Sequence, residues 1–119
     1  MPMKSKSSIT TKSRGRIAPV HPGEILREEF MAPLQLSANA LALALRVPAT
    51  RISEIVNERR GISADTALRL GRYFDITPTF WINLQSHYDL EVAEDASADT
   101  IRREIQPSNH LQSIRKVSA

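Results

Sequence analysis

Residues 46–57 read RVPATRISEIVN, and they combine hydrogen-bonding side chains with the spacing of a helix. The apolar residues of this segment fit one helical face, which leaves Thr50 and Ser53 on the opposite side. Both hydroxyls can donate or accept hydrogen bonds, and the methyl group of Ala49 suits contact with the methyl group of thymine. The pattern indicates a short helix whose outer side could read base edges.

The longer side chains of the same segment extend this chemistry. Arg51 can reach a guanine edge or a phosphate, and Glu54 can accept a hydrogen bond from the amino group of cytosine. Other polar residues suit the DNA backbone, because amide, hydroxyl and guanidinium groups donate to phosphate oxygens. These candidates are Asn57, Arg59 and Arg60 at the far end of the segment and Ser37 and Asn39 at the start of the preceding helix.

Residues 41–56 also have the packing pattern of a helix-turn-helix. Ala42 is small enough for two helices to cross closely, and Val47 can fill the space beneath the turn. Ile52 and Ile55 would anchor the second helix to a core. The alternative is an ordinary pair of helices in a bundle, which would need no particular outer face.

Arg46 stands at the turn position that glycine normally takes. If Arg46 adopts a left-handed backbone conformation, the strain costs roughly 1–2 kcal/mol. We expect a packed core to compensate for that strain.

Helix start and stop residues divide the middle of the chain, and no segment shows the alternation of a half-buried strand. Proline is favoured at the first helical position, serine and threonine at N-caps, and glycine after a helix. The sequence therefore predicts an all-α bundle of five to six helices. Its markers are Pro22, Ser37, Pro48, Gly61, Ser63, Thr77 with Pro78, and Ser97 as the cap of a short last helix.

Charge is distributed unevenly along the 119 residues. Residues 1–16 carry five basic side chains and no acid, and we expect a disordered basic arm that either binds nucleic acid or only aids solubility. Residues 17–106 form the predicted domain, balanced in charge up to residue 84 and acidic beyond it. Residues 107–119 are expected to be a flexible tail.

Several classes of function are disfavoured by the composition. The chain has no cysteine, and its three histidines (His21, His87 and His110) lie far apart, so we expect no metal and no cofactor. No serine, histidine and acid form a catalytic pattern, and we expect neither an enzyme nor a small-molecule substrate. No apolar run approaches the roughly 20 residues that cross a bilayer, and we expect a cytoplasmic protein without membrane contact.

The segment TPTFWINLQ introduces a helix with a large aromatic face. Aromatic residues are favoured at the centres of protein interfaces, so this face could form a homodimer. At least one of the aromatic residues is expected to belong to the core instead. The candidate dimer residues are Phe80, Trp81, Leu84 and Tyr88.

Residues 21–90 resemble the HigA family of antitoxins, a group within the Xre-type helix-turn-helix proteins that has also been labelled virulence-associated protein I. The specific motifs are HPGEIL at 21–26, RISEIVNERRGIS at 51–63 and FWINLQSHYDL at 80–90. The resemblance implies a lambda-repressor-like fold, with residues 48–60 as the DNA-reading helix and its basic end. It also implies dimer formation through the helix at 78–90.

The resemblance further implies two partners. Such antitoxins neutralise a HigB toxin, a messenger-RNA endonuclease of the RelE type, and they repress their own operon from a pseudo-palindromic operator. The toxin would be basic because it binds RNA, so the acidic segment DLEVAEDASAD or the basic arm could meet it. The alternatives are a free-standing phage-like repressor and a protein-binding module without DNA affinity.

Overall fold

The computed structural model describes residues 18–110. Five helices and no strand form within this range, which confirms the predicted all-α class. Helix α1 begins as an α-helix at Pro22–Ile25 and continues as a π-helix over Leu26–Met31. The others are α2 (Ala38–Leu45), α3 (Ala49–Val56), α4 (Ala64–Phe74) and α5 (Pro78–Glu104). The predicted basic arm and most of the predicted tail lie outside the described residues.

The starts of the helices follow the predicted capping chemistry. The Ser37 hydroxyl accepts a hydrogen bond from the Ala40 amide at 3.0 Å, and Ser63 does the same for Thr66 at 3.3 Å. These bonds satisfy amides that have no partner inside the helix. His21 caps α1, because its Nδ1 atom accepts from the Gly23 amide at 2.8 Å. The sequence therefore located most helix starts correctly.

The end of α5 differs from the prediction. Ser97 lies inside a helix that runs without a break from Pro78 to Glu104, so it does not cap a separate helix. The sequence between residues 79 and 104 contains no proline or glycine, and nothing there interrupts the backbone hydrogen bonds. A serine alone does not start a helix where the preceding residues already continue one.

The core of the unit that ends at Asp89 is formed by aliphatic side chains from α1 to α4 and by the Trp81 ring of α5. Burial of one such side chain stabilises the fold by about 1.5–3 kcal/mol relative to exposure. The core residues that are fully inaccessible to solvent are Leu26, Leu41, Ile52, Ile55, Ala67, Leu70 and Trp81.

An aromatic cluster completes this core. The ring of Phe30 lies 4.8 Å from that of Trp81, 5.0 Å from that of Phe74 and 5.9 Å from that of Phe80. Trp81 is 0% exposed, so its assignment to a dimer surface does not fit the structure. The Trp81 ring is enclosed by other side chains of the same chain, whereas Phe80 is only partly buried.

The second unit begins at Leu90 and has a different character. Its described residues continue α5 and place apolar side chains in solvent, with Leu90 60% and Ile105 63% exposed. None of the helices in residues 18–110 is both long enough and apolar enough to cross a membrane.

Candidate nucleic-acid interface

Arg46, at the glycine position of the turn between α2 and α3, adopts a left-handed backbone conformation. Arg46 has φ 61° and ψ 45°, and the Val47 amide donates to the Ala42 carbonyl at 3.0 Å. Three residues, 46–48, separate the two helices. Arg69 of α4, which the sequence did not indicate, also supports this turn. Its guanidinium donates to the Leu45 carbonyl at 2.8 Å. This bond satisfies one of the free carbonyls at the end of α2 and holds the strained turn.

The underside of α3 is fixed to the core from two directions. Ile52 and Ile55 are fully buried, and Ala42 of α2, at 2% exposed, allows the close helix crossing that its size predicted. On the other side, the backbone of Gly23 lies directly against α3, since a Cβ atom there would come within 1.8 Å of the Ile55 carbonyl oxygen. Gly23 was recognised only as part of a motif, because nothing local to it indicates a contact 32 residues away.

The outer side of α3 is accessible to solvent. Thr50 is exposed and Ser53 is partly exposed, so neither hydroxyl is shielded by the protein. Each of the ten candidate DNA-binding residues has accessible surface. Ser37, Asn39, Ala49, Thr50, Asn57, Arg59 and Arg60 are exposed, and Arg51, Ser53 and Glu54 are partly exposed.

Some of these side chains already have partners within the protein. Glu54 forms an ion pair with Arg60 at 2.8 Å. The Asn57 side-chain amide donates to the Ser53 carbonyl at 2.8 Å, near the end of α3. Exposed ion pairs contribute about 0–1 kcal/mol, so the pair with Glu54 restrains the Arg60 side chain only weakly.

Arg51 also has a partner within the protein. Its Nη1 atom lies 2.9 Å from Oδ2 of Asp65 in the first turn of α4, and the same oxygen accepts from Nε of Arg69 at 2.9 Å. Hydrogen bonds from Arg69 and then Arg51 hold the pKa of the Asp65 carboxyl below its usual range. The spacing of Asp65 and Arg69 by four residues could have indicated their pairing, but the link to Arg51 depends on the fold.

The loop after α3 carries the basic end of the candidate interface. Glu58 has φ 62°, a second left-handed residue that the sequence did not indicate. The Arg27 guanidinium donates to the Val56 carbonyl and lies 3.5 Å from the Glu58 carboxylate. Further along, the Ile62 amide donates to the side-chain oxygen of Gln85 at 2.7 Å. Arg59 and Arg60 are thus presented by a loop that is held at both ends.

Known helix-turn-helix proteins share this arrangement. The family model described as Helix-turn-helix matches residues 26–81. The virulence-associated protein I of Dichelobacter nodosus is 61% identical over 75 residues, which cover 63% of this chain and 69% of that protein.

Solved structures narrow the assignment from the helix-turn-helix class to one family. The Pseudomonas aeruginosa antitoxin HigA, solved with the higBA promoter, is 55% identical with a TM-score of 0.74, over 75% of this chain and 97% of that one. A Coxiella burnetii addiction module antidote protein of the HigA family is 47% identical with a TM-score of 0.74, over 77% and 100% of the two chains. The chain belongs to the HigA antitoxin family of Xre-type helix-turn-helix proteins.

Proposed function

We propose that this protein is the antitoxin of a type II toxin–antitoxin module: a dimer that represses its own operon and neutralises a HigB-type toxin by protein contact. The observation that carries the DNA-binding part is the two-sided character of α3. Ile52 and Ile55 fix its underside, while Thr50 and Ser53 remain accessible on the outside. The P. aeruginosa relative that was solved with a promoter supports the same interpretation.

The outer side of α3 reads the operator in the major groove. Ala49, Thr50, Ser53 and Glu54 face base edges, and Arg51 reaches a guanine or a phosphate from the flank. Backbone phosphates are contacted at both ends of the helix, because exposed amide, hydroxyl and guanidinium groups lie there. The proposed phosphate contacts are Ser37, Asn39, Asn57, Arg59 and Arg60.

Arg51→Ala tests the DNA contact. We expect operator binding to weaken by about 1–3 kcal/mol if the arginine contacts guanine with both nitrogens. Titrations with the promoter fragment upstream of the operon would measure the change, and Arg72→Ala on the exposed side of α4 is the matched control. Unaltered promoter binding by Arg51→Ala would remove Arg51 from the site.

The dimer forms through the first part of α5. Phe80, Leu84 and Tyr88 are partly exposed there, and Trp81 supports them from the core. A two-fold dimer would present two α3 helices about 34 Å apart, which matches one turn of DNA. Sedimentation that shows only monomers at tens of micromolar would contradict the dimer without affecting the fold.

The toxin is proposed to meet the acidic part of α5, residues 89–99. Five acids lie in this segment, and an RNA-binding toxin would present the opposite charge. The variant Glu94→Gln with Asp99→Asn should therefore weaken toxin binding, most strongly at low salt. Unchanged affinity would move the contact elsewhere. If no toxin gene adjoins this one and no neighbouring product co-purifies, the protein is instead a free-standing repressor.

A further inference from the structure

A single carboxylate oxygen joins three parts of the proposed interface. Oδ2 of Asp65 lies 2.9 Å from Nη1 of Arg51 on α3 and 2.9 Å from Nε of Arg69 on α4. Arg69 in turn donates to the Leu45 carbonyl at the start of the turn. The guanidinium of Arg51 is therefore linked to the same side chain that holds the turn before α3.

Arg51 occupies a particular position on its helix. Its neighbour Thr50 is exposed and its other neighbour Ile52 is fully buried, so Arg51 lies on the flank between the outer side and the core. Its side chain is 29% exposed. From this flank the guanidinium can extend along α4 to Asp65 or outwards to DNA, and in the free protein it extends to Asp65.

The charge of Asp65 acts against binding of DNA in general. A carboxylate beside a DNA-facing arginine cancels its charge and repels phosphate, which weakens attraction to any sequence. Recognition of one sequence depends on the difference in affinity between the correct and the incorrect partners, and that difference can be increased by weakening the incorrect complexes. An acid at this position therefore lowers the affinity for DNA of any sequence and increases the difference in affinity between the correct sequence and the others.

We infer that Asp65 is a positioning residue that sets the sequence specificity of α3 by restraining Arg51. The restraint keeps the arginine from binding the backbone of arbitrary DNA, and only a site that offers Arg51 a good partner compensates for the loss of the Asp65 contact. This inference rests on the proposed DNA-binding function. It assigns a role in recognition to a residue outside the helix that contacts DNA.

The test compares Asp65→Asn with the wild-type protein on two DNA duplexes. One duplex is the promoter fragment upstream of the operon, and the other has the same length and composition in scrambled order. Asp65→Asn should bind the scrambled duplex about two- to fivefold more tightly, the scale of an exposed ion pair. Its affinity for the promoter should rise less, so the ratio of the two affinities falls. The salt slope on scrambled DNA should steepen by about one, as for one added phosphate contact.

Asp75→Asn is the matched control for charge. It removes the same charge from the other end of α4, where Asp75 has φ 57° and asparagine tolerates that backbone conformation. Any general effect of net charge on DNA binding appears in both variants. The affinity ratio should fall in Asp65→Asn and remain at the wild-type value in Asp75→Asn.

A double substitution separates restraint of Arg51 from a structural role of Asp65. In an Arg51→Met background, Asp65→Asn should no longer change the affinity ratio, because the guanidinium on α3 is gone and Arg69 keeps its hydrogen bond to the Leu45 carbonyl. The inference is overturned if Asp65→Asn behaves like Asp75→Asn, or if its effect persists without Arg51. A wild-type protein that binds both duplexes equally would overturn the proposed function itself, and this inference with it.

Discussion

The two ends of helix α3 are built in the same way from unrelated parts of the sequence. Before α3, Arg46 takes a left-handed conformation and Arg69 donates to the Leu45 carbonyl at 2.8 Å. After α3, Glu58 takes a left-handed conformation and Arg27 donates to the Val56 carbonyl. Each turn thus combines a strained residue that is not glycine with an arginine from another helix.

The two ends differ in what else supports them. The turn before α3 is held by the link from Arg69 to Asp65, which is exposed. The turn after α3 is held from the buried side, where Gly23 meets the Ile55 carbonyl, and also by Gln85 of α5. The comparison indicates that the first turn depends on surface charges, whereas the second depends on close packing.

Gly23→Ala should cause the largest loss of stability, because the packed end of α3 has no space for the new methyl group. Its Cβ atom would come within 1.8 Å of the Ile55 carbonyl oxygen, and the backbone of neither helix can yield easily. We expect the free energy of unfolding to fall by more than about 3 kcal/mol, at the upper end of overpacking. Urea denaturation would measure it.

Gly61→Ala is the control for this substitution. There the new Cβ atom would lie 2.9 Å from the end of the flexible Gln85 side chain, which can shift and lose at most its hydrogen bond from the Ile62 amide, so the loss of stability should be smaller. A loss for Gly61→Ala as large as that for Gly23→Ala would contradict the role of close backbone packing.

Arg27→Met and Arg69→Met should have intermediate effects and should separate the two ends. Each removes charge-assisted hydrogen bonds that contribute about 1.5–3 kcal/mol and retains an aliphatic side chain. Hydrogen exchange should quicken at the amides of residues 57–60 in Arg27→Met and at Val47 in Arg69→Met. If each variant opened both turns equally, the two ends of α3 would not be held independently.

These two arginines mark the limit of what the sequence could predict. The caps at Ser37 and Ser63, the turn at Arg46 and the burial of Ile52 follow from local spacing, and the structure confirms them. Arg27 and Arg69 act on carbonyls 29 and 24 residues away. No local pattern specifies such contacts, so they become visible only in the fold.

The same limit applies to the candidate site. The exposed outer side of α3 follows from helical periodicity, because the apolar residues determine which side is buried. The partner of Arg51 does not follow from periodicity, since Asp65 belongs to the next helix and reaches Arg51 only through the packing of α4. Trp81 shows the same limit for burial. An aromatic residue suits an interface as well as a core, and the sequence alone does not show which of the two it occupies.

As the pH falls, the end after α3 should lose stability at a higher pH than the end before α3. Burial lowers the pKa of His21 below 6.5, and this outweighs the nearby carboxylates of Glu58 and Asp89, which act in the opposite direction to the charge of Arg27. The unfolded chain therefore takes up a proton first as pH falls, so the stabilisation is complete above about pH 6.5 and declines below it. Protonation also removes the acceptor for the Gly23 amide.

Denaturation at several pH values between 7.5 and 5 would measure this decline. His21→Asn is the matched control, because asparagine also caps helices and does not titrate. The end before α3 should respond only in stronger acid, since the pKa of Asp65 lies below 3.8 and its stabilisation is lost as pH falls through that lowered value. A decline of the same size in His21→Asn would exclude His21 as its source.

Replacing the strained residues with glycine should have the smallest effect and should distinguish the ends once more. Glycine relieves a left-handed strain of roughly 1–2 kcal/mol but adds conformational freedom to the unfolded chain. Arg46→Gly should therefore stabilise the fold by up to about 1 kcal/mol, because the Arg46 side chain that is lost is exposed to solvent. Glu58→Gly should gain less, since it also loses the contact with Arg27 at 3.5 Å. Thermal unfolding of the two variants side by side would measure the difference, and a larger gain for Glu58→Gly would mean that its ion pair contributes nothing to the turn.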